Sequence, residues 1–187
     1  MVRLFESTGD GGARIALDEG DAALLRSLFL QVLEMIGPGP AEDADPLAAM
    51  FAEGPSKPPA DPALARLFPD AYGDPEKAED QEAVAFSAEF RRYTEPDLRA
   101  RKRDDVMTVI RALDGVGGGK ELTVPVEECP RWLGATNDLR LILGTRLEVT
   151  EDDDFFALSD DDPAKPLAMA YLWLGALQES LLEAMAG

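Results

Sequence analysis

The chain has no histidine and a single cysteine, Cys129. Without histidine, Ser-His-Asp and Cys-His arrangements cannot be built, and the usual zinc sites and the common general base near neutral pH are absent as well. One cysteine excludes an intrachain disulfide and any CxxC metal site. Catalysis would have to rest on carboxylates, Lys, Tyr or a cofactor, so a non-enzymatic protein without a cofactor is expected. No apolar run reaches the roughly 18 to 20 residues that a membrane span needs. The start, Met1-Val2-Arg3-Leu4-Phe5-Glu6, turns acidic and Gly-rich before a signal core could build. A cytoplasmic protein is therefore expected. Basic residues are scarce, 18 against 37 acidic ones, for a net charge of −19. Such a surface repels nucleic acid on average. The balance is uneven, however. Between Arg91 and Arg111 seven basic residues face four acids, a local +3 that leaves −22 on the remainder.

What is present suits a globular fold: 187 residues, 45% of them hydrophobic, are enough for one core. The expected class is mainly α, with about five to six helices and a small N-terminal β-hairpin, and a short strand near 121–124 is a candidate extension. The chain reads as a single helical domain over 1–187 with a Pro/Gly-rich, partly mobile insert at about 37–75. Val2–Glu6 and Ala13–Leu17 alternate apolar and polar residues across Thr8-Gly9-Asp10-Gly11-Gly12, which predicts the hairpin. Asp18 is the expected N-cap of a helix running to Ile36, stopped by Gly37-Pro38-Gly39-Pro40. Within the insert, Leu47–Phe51 and Leu64–Phe68 could form single helical turns or short helices. The stripe Ala83, Phe86, Phe90 and Tyr93 marks a helix from Pro75 to Tyr93. Thr94-Glu95-Pro96 should interrupt it, with a second helix from there to about Asp114, giving a helical hairpin or bent pair. The run Gly115–Glu121 lacks the first Gly and the Ser/Thr of a phosphate loop and is rejected as one. Helices from Pro130 and over Pro163–Ala186 complete the chain, separated by an acidic loop at 151–162.

The helix Pro130–Leu147 carries the most informative pattern. At about 100° per residue, Trp132, Leu133, Thr136, Leu139, Leu143 and Leu147 share one face. Arg140 and Arg146 fall among those apolar positions, and Asn137 borders them. A buried guanidinium needs a carboxylate or several carbonyls. An internal Asp or Glu satisfies that need; an Asn–Arg site for a partner's carboxylate is the sharper alternative. Cys129 precedes Pro130 at the helix start, where the dipole can lower a thiol pKa. Packing as a small buried hydrophobe is its other reading.

The stretch Trp132-Leu133, Asn137-Asp138-Leu139-Arg140-Leu141-Ile142-Leu143-Gly144-Thr145-Arg146-Leu147 and Val149-Thr150-Glu151 resembles the hallmark segment of the AosR family. This is an actinobacterial family long classed as a domain of unknown function. The likeness extends over nearly the full chain and is weakest at 37–75. It implies an oxidative-stress transcriptional regulator acting through a protein partner, a sigma factor or RNA polymerase, with the basic window facing an acidic partner or DNA and the DNA contact direct or indirect. A redox switch within one chain needs two thiols, so Cys129 could act only through an intermolecular disulfide or a sulfenic acid. The residues expected to meet the partner are Asn137, Arg140 and Arg146, together with Arg92, Arg99 and Arg103 from the basic window. Pairing of that window with the chain's own acids is the competing reading. An adaptor for regulated proteolysis and a metal-binding acidic loop at Glu151–Asp154 and Asp160–Asp162 are the alternative functions. The loop lacks the EF-hand spacing. The broad apolar arcs of the first and last helices leave room for a homodimer.

Overall fold

The computed structural model describes residues 3–38, 54–72, 81–115, 121–151 and 153–187. The predicted Leu47–Phe51 turn lies outside them. The hairpin forms as strands β1 (Glu6–Ser7) and β2 (Ala13–Ala16), and β3 (Glu121–Val124) adds antiparallel to β2 with Ile15 opposite Leu122. Alternation sets which face is buried: Ala13, Ile15, Leu122 and Val124 point into the core. Asp10 shapes the turn, its Oδ1 accepting from the Thr8 hydroxyl and from Gly12 N–H at 3.0 Å.

Helix α1 (Glu19–Ile36) starts where expected, with the Asp18 carboxylate accepting from Asp21 N–H at 2.8 Å, and ends at Gly37 with φ of 92°. A short helix α2 (Pro62–Leu67) is capped by Asp61, which accepts from Ala63 and Leu64 N–H. It drives Ala63, Leu67 and the following Phe68 into the core. Helix α4 (Cys129–Arg146) fills the centre with Trp132, Ala135, Leu139, Ile142 and Leu143, and Phe5 meets Trp132 edge-on with ring centres 5.8 Å apart. A single 3-10 turn at Phe155–Ala157 leads to α5 (Lys165–Ala186). The Ser180 hydroxyl of α5 accepts from Phe5 N–H at 3.1 Å and so fixes the N-terminal segment. Among the described residues no helix is long and apolar enough to cross a membrane.

The expected pair of helices around Pro96 is corrected by the structure: α3 runs unbroken from Gln81 to Asp114 with Pro96 inside it. Proline has no N–H, so the Arg92 carbonyl loses its helical donor. Gly54 supplies the replacement, its N–H donating to the Arg92 oxygen at 3.2 Å. Ion pairs four residues apart, Arg91 to Glu95 and Glu95 to Arg99, bracket the proline and hold both turns in register. The burial pattern is also the reverse of the sequence stripe. Phe86, Phe90 and Tyr93 are exposed, whereas Ser87, Arg91 and Glu95 are buried.

Gly54 has no room for a side chain, because a Cβ there would lie 2.4 Å from the Arg92 oxygen and 2.8 Å from Pro96 Cγ. Gly54→Ala should push this segment off α3 and leave the Arg92 carbonyl unbonded. A loss of about 1–3 kcal/mol is expected, read as a lowered midpoint in urea denaturation; an unchanged midpoint would show that the contact contributes nothing.

Candidate partner-binding site

The residues expected to meet a partner fall into separate environments. Arg99 and Arg103 reach back from α3 to the end of α1, donating to the carbonyls of Ile36 and Gly37 at 2.7 Å each. Arg99 also pairs with Glu95 and lies over the Phe68 ring at 4.3 Å. Helix α1 has no basic residue in its last turn, so these two arginines complement the negative end of its dipole from outside. Arg92 is half-buried on α3. Arg146 is exposed and pairs at 2.9 Å with Asp61, the cap of α2. For Arg146 the internal carboxylate expected from the sequence is present.

Arg140 is different. It is half-buried, and its Nη1 donates to the Gln178 amide oxygen at 2.8 Å. Its guanidinium carbon stands 4.9 Å from the centre of the Tyr171 ring. Among the described residues no carboxylate lies within ion-pair distance of it. The wheel placed it among the apolar positions of α4; in the structure its guanidinium lies at the side of that face, against α5. Asn137 is exposed, and its neighbour Asp138 is the buried member of the motif. Lys102 of α3 donates to Asp138 at 2.6 Å, clamping α3 to α4. Burial raises the Asp138 pKa, and the Lys102 ammonium only partly opposes that rise.

Sequence reasoning missed Asp138 because a wheel built for one neighbour cannot reveal a second. It also missed the buried Arg91, which pairs with Glu95 and donates to Asp70 and the Phe68 carbonyl at 2.8 and 2.9 Å. Burial lowers the Arg91 pKa, but its bonds to Asp70 and Glu95 outweigh it and the net shift is upward. The Arg91, Glu95, Arg99 spacing of four was the available signal.

Cys129 is fully buried, with its Sγ 3.4 Å from the Pro125 carbonyl and 3.7 Å from that of Val124. Burial pushes its thiol up, the opposite of the lowering expected from the helix start. In the acidic loop the carboxylates serve as local acceptors. Asp153 accepts from Thr150, Asp154 from Phe156 N–H, Asp162 from Ala164 N–H, and Asp160 pairs with Lys165. Among the described residues no group of three or more potential ligands could hold a metal ion.

A mainly helical domain closed by a three-stranded antiparallel sheet, with its central helix clamped by a buried ion pair, is the class of protein this fold defines. The chain belongs to the AosR family: the family described as "Domain of unknown function (DUF2017)" matches residues 2–185. The oxidative stress regulator AosR of Mycobacterium tuberculosis is 29% identical over 184 residues, covering 93% of this chain and 82% of the relative. The AosR of Mycobacterium bovis gives the same values. A Mycobacterium leprae relative is 30% identical over 177 residues, 88% of this chain and 78% of its own length. No solved structure matches.

Two outcomes follow from the burial of these groups. The Cys129 thiol should react with iodoacetamide at neutral pH at least about tenfold more slowly in the folded protein than in urea; equal rates would contradict its burial. For Asp138, the folded state holds the proton more tightly than the unfolded chain. Stability from this group therefore falls as pH rises from the unfolded carboxylate value through the raised folded one, and levels off above it. In thermal melts, lowering the pH through that window should shift the difference between wild type and Asp138→Asn in favour of wild type. A pH-independent difference would refute the raised pKa.

Proposed function

We propose that this protein is a non-enzymatic regulator of the oxidative-stress response that controls transcription by docking on a protein partner, a sigma factor or RNA polymerase. The observation that carries the reading is the exposed aromatic row on the first half of α3. Phe86, Phe90 and Tyr93 stand four and three residues apart, and Tyr72 packs against Phe86 and Phe90 with ring centres 6.1 and 5.9 Å apart. Tyr93 is 71% exposed and Phe86 51%. Exposed aromatic clusters of this kind mark interaction surfaces, where a few such side chains carry most of the binding energy. The inner side of the same helix is held by ion pairs, so the row is fixed in place before any partner arrives.

The regulator names of the mycobacterial relatives support the physiological side of this reading. The absence of histidine supports the non-enzymatic side. Of the polar residues expected to meet a partner, Asn137 stands free on the surface of α4 and Arg140 keeps donors available. Arg99, Arg103 and Arg146 act within the fold.

The test is affinity purification from native cells with and without oxidant, followed by binding to the purified partner. Wild type should recover RNA polymerase subunits or a sigma factor. The Phe86→Ser, Phe90→Ser, Tyr93→Ser variant should bind at least about tenfold less while melting at an unchanged temperature. Recovery of protease components without any transcription protein, or full binding by the triple variant, would overturn the proposal.

A further inference from the structure

We propose that the cleft shared by α2, α4 and α5 binds a carboxylate carrying an apolar flank, with Arg140 and Arg66 as its donors. The cleft has a volume of about 520 Å³, and both arginines line it with Leu141, Val149 and Tyr171. In this acidic chain Arg3, Arg14, Arg26, Arg91, Arg99, Arg131 and Arg146 all pair with carboxylates. Among the described residues neither Arg66 nor Arg140 has a carboxylate within ion-pair distance. Two guanidinium groups without an ion pair among the described residues therefore face one cavity in a protein carrying −19.

Arg140 is held in position for this task. Gln178 fixes Nη1, the Tyr171 ring lies 4.9 Å from the guanidinium carbon, and α5 packs beside it at Gly175, where a Cβ would stand in ordinary contact, 3.4 Å from Cζ and Nη2. Its Nε is buried without a hydrogen bond, and Nη2 keeps its donors. A planar, pre-set donor suits the two oxygens of a carboxylate. Leu141, Val149 and Tyr171 give the flank an apolar wall. Glu148 lines the same cleft and adds a negative charge, which penalises a phosphate dianion more than a carboxylate. Arg66 comes from α2, a helix absent from the family motif, so the sequence pattern around Asn137 and Arg140 could not name it. The cleft and the aromatic row lie on different elements, so either reading can fail while the other stands.

The test is a titration of the ¹⁵N-labelled full chain at constant ionic strength, following the Arg140 Nε–H resonance and the amides of Gly144 and Gly175. The probes are N-acetylleucine and acetyl-Leu-Glu-Leu-amide; their neutral amide counterparts and inorganic phosphate are the controls. A saturable shift with N-acetylleucine assigns the site to a free or terminal carboxylate, and one with the capped peptide alone assigns it to an acidic side chain. In Arg140→Lys, which keeps the charge but loses the fork, and in Arg66→Ala, an exposed position that should leave the fold intact, affinity should drop about tenfold or more. The proposal is overturned by no saturable shift with either acid, by equal shifts with the neutral probes, or by phosphate binding as tightly as the carboxylates. Wild-type affinity in Arg66→Ala would overturn it even if Arg140→Lys failed to fold.

Discussion

The Glu95 carboxylate is the constraint on which the rest of this molecule depends. It is buried to 3% exposure and shared between two arginines of its own helix, Arg91 one turn before it and Arg99 one turn after. Removing such a charge from water costs several kcal/mol unless its partners are well placed, so both arginines are obligatory. Each then extends the contact further. Arg91 reaches Asp70 and the Phe68 carbonyl; Arg99 reaches the end of α1 and the Phe68 ring. One buried charge thus ties α1, the segment after α2 and α3 together. The exposed pair Arg14–Glu6 is worth at most about 1 kcal/mol and organises nothing comparable.

Much of the fold was legible because local rules and global packing agree. Asp18, Gly37 and the apolar period of α1 all point the same way, as do Pro130 and the Trp132 face of α4, and the alternation of β2 and β3. The helical character of α3 was legible, but its continuity through Pro96 and its buried face were not, for two physical reasons. The rule that proline breaks a helix is local, and here the missing donor comes from Gly54, far away in sequence. The rule that aromatic stripes face inward fails because ion pairs hold the opposite face. At the site, the wheel placed Arg140 among the apolar positions of α4, where the side chain is half-buried. It could not show Asp138, whose burial comes from α3, or Arg66, whose helix sits in a segment that composition read as loose.

The basic window between Arg91 and Arg111 also changes meaning. Arg91, Arg99, Lys102 and Arg103 are engaged by Glu95, Asp70, Asp138 and the carbonyls of α1. Its positive excess is largely internal, so the outward field is more uniformly acidic than a count along the chain implies. Recognition by long-range attraction to an acidic partner is thereby weakened, and short-range apolar and stacking contacts carry more of it.

The two arginines at the end of α1 have a consequence for how the molecule opens. The last carbonyls of that helix have no cation of their own, and the donors that satisfy them arrive only when α3 docks. The final turn of α1 and the middle of α3 therefore belong to one cooperative unit. Amide protons in that turn are expected to exchange through openings that undock a helix more than sixty residues away in sequence, and not by local fraying alone.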